Sequence, residues 1–213
     1  MAECCDPGRQ PPGTGAPMLR LQRRVLIAVL AINLVMFFVE AGAGWRADSI
    51  ALQADALDFL GDSVNYAIAL FVLARSLAWR AGTAFAKGAV MFAFGVFLAG
   101  ASAHHALVGS APEAQVMGAV GALAFVANVV CVLLLFRFRG GDANLRAVWL
   151  CSRNDAIGNL AVIAAASGVF LSGASWPDLL VGLAMAALAV WAGLSVMRQA
   201  RGELTRYRPA AAE

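Results

Sequence analysis

The chain has 213 residues, of which 61% are hydrophobic and only 14% charged, and its mean hydropathy is +0.75. That balance excludes an ordinary soluble domain, whose surface would carry nearly twice as much charge. The formal net charge of +3 gives no reason to invoke nucleic acid, because no basic patch interleaved with aromatics stands on a soluble face.

Residues 1–18 are rich in Pro and Gly and carry the adjacent pair Cys4 and Cys5, a composition that predicts a flexible tail without a core of its own. The first apolar run, 25–44, follows that tail. It is long enough to remain in the bilayer and act as its own insertion signal, so no cleavable signal peptide is expected. Five further runs follow at 50–74, 83–107, 114–136, 146–171 and 177–197, each close to the ~20 residues one crossing needs. None shows the alternating pattern of a membrane barrel, and in hydrocarbon a helix satisfies its backbone groups within its own segment. The expected fold is all-α: a bundle of six transmembrane helices over 19–198, followed by a second short tail at 199–213.

Arg9, Arg20, Arg23, Arg24, Arg75, Arg80, Lys87, Arg137, Arg139, Arg146, Arg198, Arg201, Arg206 and Arg208 all fall on one side of such a bundle. The positive-inside tendency then makes both termini and the second and fourth loops cytoplasmic. Cys4, Cys5, Cys131 and Cys151 lie in the cytoplasm or in spans on this topology, where free thiols rather than disulfides are expected.

The second run concentrates the chemistry. Asp55, Asp58 and Asp62 project within about 60° of one another down a helix axis, Asn65 continues near that stripe, and Leu57, Phe59 and Leu60 cover the remaining surface. Carboxylates in mid-span are expensive, so three on one face point to an ion or proton pathway. The third run ends in His104 and His105, which there either meet water and headgroups or serve as an exit-side ligand. In the fifth run Cys151, Asp155 and Asn159 repeat the four-residue spacing, and groups at i and i+4 stack on one helix face. Two facing helices could therefore close Asp58, Asp62, Cys151 and Asp155 on a single cation. If the helices run antiparallel, Asp58 and Asp155 stand nearer the outside, Asp62 and Cys151 nearer the cytoplasm. Hard carboxylate oxygens with one thiolate suit zinc, cadmium or softer ions better than magnesium or calcium. Ligands that must lose protons to bind metal also give proton antiport a physical basis. Arg153, beside these ligands, either snorkels toward the cytoplasm or offsets their charge.

Leu52-Gln-Ala-Asp-Ala-Leu-Asp-Phe-Leu-Gly-Asp62, taken with Asn154-Asp-Ala-Ile-Gly-Asn-Leu-Ala-Val-Ile163, resembles the cation diffusion facilitator family. Asn33 and Glu40 in the first run and Trp176-Pro-Asp178 at the start of the sixth resemble it in the same order, so the likeness spans all six runs. It implies a proton-coupled exporter of divalent metals rather than an enzyme, in a bacterial inner membrane. Asp58, Asp62 and Asp155 are the implied ligands. The family commonly has His where Cys151 stands, which biases the cargo from zinc toward cadmium. No resident cofactor is implied; the partners are a divalent cation, protons and the lipid bilayer.

In most relatives a cytoplasmic domain that supports a dimer follows the sixth helix. Here only sixteen residues follow Met197, so a short form is expected and a homodimer stays an open alternative. The loop Arg139-Gly-Gly-Asp142 carries no histidine, unlike the His-rich loop usual in the family, and Cys4-Cys5 is a candidate metal-collecting tail. Asp55 is expected to support the ligands, and Glu40 and Asn33 to make helix contacts or a proton path. Two other readings stand beside export. One is a metal-sensing or storage membrane protein. The other is an intramembrane aspartyl protease built on Asp62 and Asp155, although no Gly-x-Gly-Asp sequence accompanies Asp62.

Overall fold

A computed structural model describes residues 16–71, 77–137 and 143–206. It is a bundle of six helices: α1 (Ala16–Arg46), α2 (Ile50–Phe71), α3 (Leu77–Val108), α4 (Ala114–Phe136), α5 (Ala143–Ser172) and α6 (Trp176–Arg206). Each apolar run of the sequence has become one helix, and among the described residues there are no strands. The helices overrun the apolar stretches where basic residues begin. Arg20, Arg23, Arg24, Arg198 and Arg201 are exposed on the extended ends of α1 and α6, where long stems lie along the helix and the cations stay wet. Cys4 and Cys5 lie outside the described residues.

Five of the six helices are long and apolar enough to cross a membrane. The exception is α2, because Asp55, Asp58 and Asp62 all fall within it. The bundle shields it instead. No residue from 50 to 67 is exposed, and α2 packs against α1, α3, α5 and α6. Its carboxylates thus stand in the protein interior, where charged groups in a span can find partners.

The most extensively packed helix pairs are α3 with α6, α4 with α5, and α1 with α2. The first depends on glycine. A Cβ on Gly193 would sit 2.7 Å from both the Gly88 carbonyl oxygen and the Phe92 amide nitrogen, so the two backbones touch. Between membrane helices, such close approach through small residues replaces the hydrophobic drive that water supplies elsewhere.

The link between α1 and α2 is tight and fully bonded. Asp48 adopts a left-handed φ of 53°, and Ser49 N–H donates to the Gly44 carbonyl at 3.0 Å, the six-residue closure of a Schellman C-cap. The α2 N-terminus is then capped from another helix. Asp178 of α6 accepts from Ser49 Oγ at 2.6 Å, Ile50 N–H at 2.9 Å and Ala51 N–H at 3.0 Å, while Ser49 Oγ accepts from Leu52 N–H at 3.1 Å. First-turn amides that no helix can satisfy by itself are occupied, and a carboxylate meets the positive end of the helix dipole. These bonds fix the start of α2, and with it the depth of every aspartate along it.

Candidate metal centre

On α2, Asp62 is nearly buried at 6% exposure and Asp55 fully so at 1%, whereas Asp58 is half-buried. One turn beyond Asp62, Tyr66 is buried and donates its hydroxyl to Asp62 Oδ2 at 3.0 Å. The same hydroxyl lies 2.7 Å from Ser152 Oγ on α5. Since Tyr66 has one proton and gives it to the carboxylate, Ser152 is the donor in the second bond. Asn65 Nδ2 lies 3.5 Å from Asp62 Oδ1. Asp62 is therefore oriented both by its own helix and by a bond that reaches across to α5.

That clamp brings the second pair into place. The half-buried Asp155 of α5 meets the Asp62 carboxyl at hydrogen-bonding range, with the charges of Asp58 and Asp55 also within reach. Two carboxyl groups, both acceptors when ionised, face each other across α2 and α5, an arrangement that a cation or a proton must complete. Cys151 precedes Ser152 in α5, one turn before Asp155, but its side chain lies outside the described residues. Among the described residues, no three His, Cys, Asp or Glu side chains form a ready metal-holding group. The acids meet in pairs, and a four-ligand shell would need Cys151 and Asp58 beside Asp62 and Asp155.

A further polar chain runs beside this centre. Asn159 of α5 donates to Asp55 Oδ2 at 2.7 Å and accepts at its own Oδ1 from Asn128 Nδ2 of α4 at 2.9 Å. Asp55 is thus held by an amide, in keeping with a supporting place. Asn33 of α1 donates to the Val29 carbonyl at 2.8 Å and to Cys131 Sγ at 3.6 Å. Cys131, buried on α4, lies within electrostatic reach of both Asp62 and Asp155, which makes it a second thiol beside the acids.

Tyr66, Ser152, Asn128 and the placement of Cys131 are not foreseen from the sequence. The only sequence signal was helical spacing, which puts Tyr66 four residues after Asp62 and Ser152 next to Cys151.

Other candidates fall away from the centre. His105 Nε2 lies 3.5 Å from Asp48 Oδ1, and Asp48 also accepts from Ala111 N–H at 3.2 Å, so this histidine ties the ends of α1 and α3 to the α3–α4 loop. His104 is exposed. Arg153 is exposed too, with its guanidinium 5.6 Å over the Trp149 ring and a 3.3 Å bond to Asn154 Oδ1. It snorkels along its own helix and does not offset the acids' charge.

A profile of the cation efflux transmembrane domain matches residues 26–205, from α1 into the last turn of α6. No curated protein matches the chain.

Proposed function

The chain belongs to the cation efflux family, and we propose that its cargo is a divalent transition metal, zinc or cadmium, held between α2 and α5 by Asp58, Asp62, Cys151 and Asp155. The observation that carries this reading is the meeting of Asp62 and Asp155 carboxyls from two helices, with Asp62 held in place by Tyr66. Two facing acids in a span are unfavourable until a positive species sits between them, and a divalent ion meets that need directly.

The metal enters from the cytoplasm past Asp62 and Cys151, and the bundle rearranges to open the centre outward. Protons replace the metal on the carboxylates and return in exchange, since the same oxygens cannot hold both. Asp58 and Asp155, both half-buried, are the groups an ion can reach first from the other side.

The test is metal uptake into proteoliposomes across a panel of zinc, cadmium, manganese and magnesium, with imposed pH gradients. Uptake of zinc or cadmium that abolishes the gradient is expected, and Asp62→Ala and Asp155→Ala should each stop it while inserting normally. Full flux in both variants would remove the site. Tight binding by the intact chain with no flux would instead favour a metal-sensing or storage protein.

A further inference from the structure

Glu40, in the last third of α1, is 0% exposed, and neither of its carboxyl oxygens has a hydrogen-bond donor. The polar group within hydrogen-bonding range is the carboxyl of Asp55 on α2, itself almost fully buried. Asp55 already accepts from Asn159, whose amide is held in turn by Asn128. At the far end of that chain, Asn128 Oδ1 also has no donor. The one donor these helices deliver to the Glu40–Asp55 contact, the Asn159 amide, is spent on Asp55, and nothing among the described residues donates to Glu40. No Lys, Arg or His pairs with either acid among the described residues; the charged groups facing them are further acids, Asp58 toward Glu40 and Asp155 toward Asp55. An ionised carboxylate buried without a donor would not survive in such surroundings. Something positive must occupy the contact, and a proton suits it better than a metal ion: only two carboxyls meet there, the Asn159 N–H is turned toward Asp55, and among the described residues no three His, Cys, Asp or Glu side chains stand together to hold a metal.

We propose that Glu40 and Asp55 share one proton in the bundle interior, a proton-binding site separate from the carboxylates assigned to the metal. The proton sits on one carboxyl and is donated to the other, as in acid pairs whose two groups titrate as a unit. Its place in transport rests on the antiport reading above: it is one of the protons returned in exchange, carried on acids that never need to release a metal. Its presence does not rest on that reading.

Infrared spectra of the full chain in lipid vesicles at neutral pH, in water and deuterium oxide, test the site directly. The native chain should show a protonated-carboxyl band that exchanges slowly. Glu40→Gln and Asp55→Asn should each remove the same band, and the double variant should remove no more than either single one, because one proton is shared. Both amides donate to the carboxylate that remains, so the contact is kept and the fold with it. Absence of the slow band in the native chain overturns the proposal. So do losses that add in the double variant, which mean two independent acids, or a band that appears only when sodium or a divalent cation is removed, which means a bound ion. In proteoliposomes, Glu40→Gln should lower the protons moved per metal ion by about one while leaving metal uptake measurable. An unchanged ratio with normal uptake removes the pair from the exchange. Native vesicles that move no metal refute the export reading instead and leave the infrared result standing.

Discussion

Asp62 is a ligand candidate whose geometry is set by a neighbour that carries no charge. Tyr66 gives it a hydroxyl at 3.0 Å and is held in place by Ser152 on α5, so the distance between the two ligand helices is written into one phenol. A hydrogen bond to a charged group contributes about 1.5–3 kcal/mol, so Tyr66→Phe should lower metal uptake by roughly tenfold or more. The variant removes one oxygen from a packed site, and its thermal stability in detergent should change far less than its flux. Equal flux in both proteins would show that Asp62 needs no such positioning. The two thiols can be separated in the same assay. If Cys151 supplies the soft ligand, Cys151→His shifts preference from cadmium toward zinc, since imidazole replaces thiolate, and Cys131→Ser leaves the preference alone. A shift with Cys131→Ser and none with Cys151→His would move the sulfur ligand to α4.

A helix of this bundle can depend on a neighbour's side chain as well as on its own composition. The start of α2 shows this most clearly, with three donors converging on Asp178 of α6. Asp178→Ala strands those donors in an apolar interior and should cost about 3 kcal/mol, read as a lower unfolding temperature of the purified chain. Asp178→Asn keeps an acceptor and should recover part of the loss. Gly193→Leu should be worse than either, because a side chain there must displace the Gly88 carbonyl and the backbone at Phe92 and so part α3 from α6. If the leucine variant melts with the native chain, the close pair is not a structural requirement. The six helices themselves could be read from the apolar runs, since one crossing needs a fixed length of helix and hydrocarbon permits little else. The four-residue periodicity put Asp58 with Asp62 and Cys151 with Asp155 on single helix faces, but it paired Asp58 rather than Asp62 with Asp155 in depth. The capping by Asp178, the Tyr66–Ser152 bond and the Glu40–Asp55 contact could not be read that way. Each joins residues distant in sequence through helix rotations that no local pattern encodes, and a lone Tyr or Ser in an apolar run looks like packing.

At the scale of the molecule, the four helices that meet around the acids, α1, α2, α4 and α5, differ from the close α3–α6 pair in what they carry: polar side chains inside rather than backbone against backbone. The α3–α6 pair reaches the acids' helix through its contacts with α2, so a shift of the pair against the four would change access to the centre without breaking the Asp62–Tyr66–Ser152 clamp. Direction of export then depends on which end of the bundle faces the cytoplasm. The exposed arginines at the free ends of α1 and α6 lie on one side, because an even number of helices returns the chain to the side from which it started. A membrane potential and anionic lipid both favour that side being cytoplasmic. Cys4 and Cys5, the latter fifteen residues before the first of these arginines in sequence, report the orientation without any engineered label. A membrane-impermeant thiol reagent should leave them unmodified in intact cells and modify them once the membrane is opened, with the Cys4→Ser, Cys5→Ser double variant giving the background from Cys131 and Cys151. Labelling in intact cells would invert the bundle, and the same alternating centre would then work as an importer rather than an exporter.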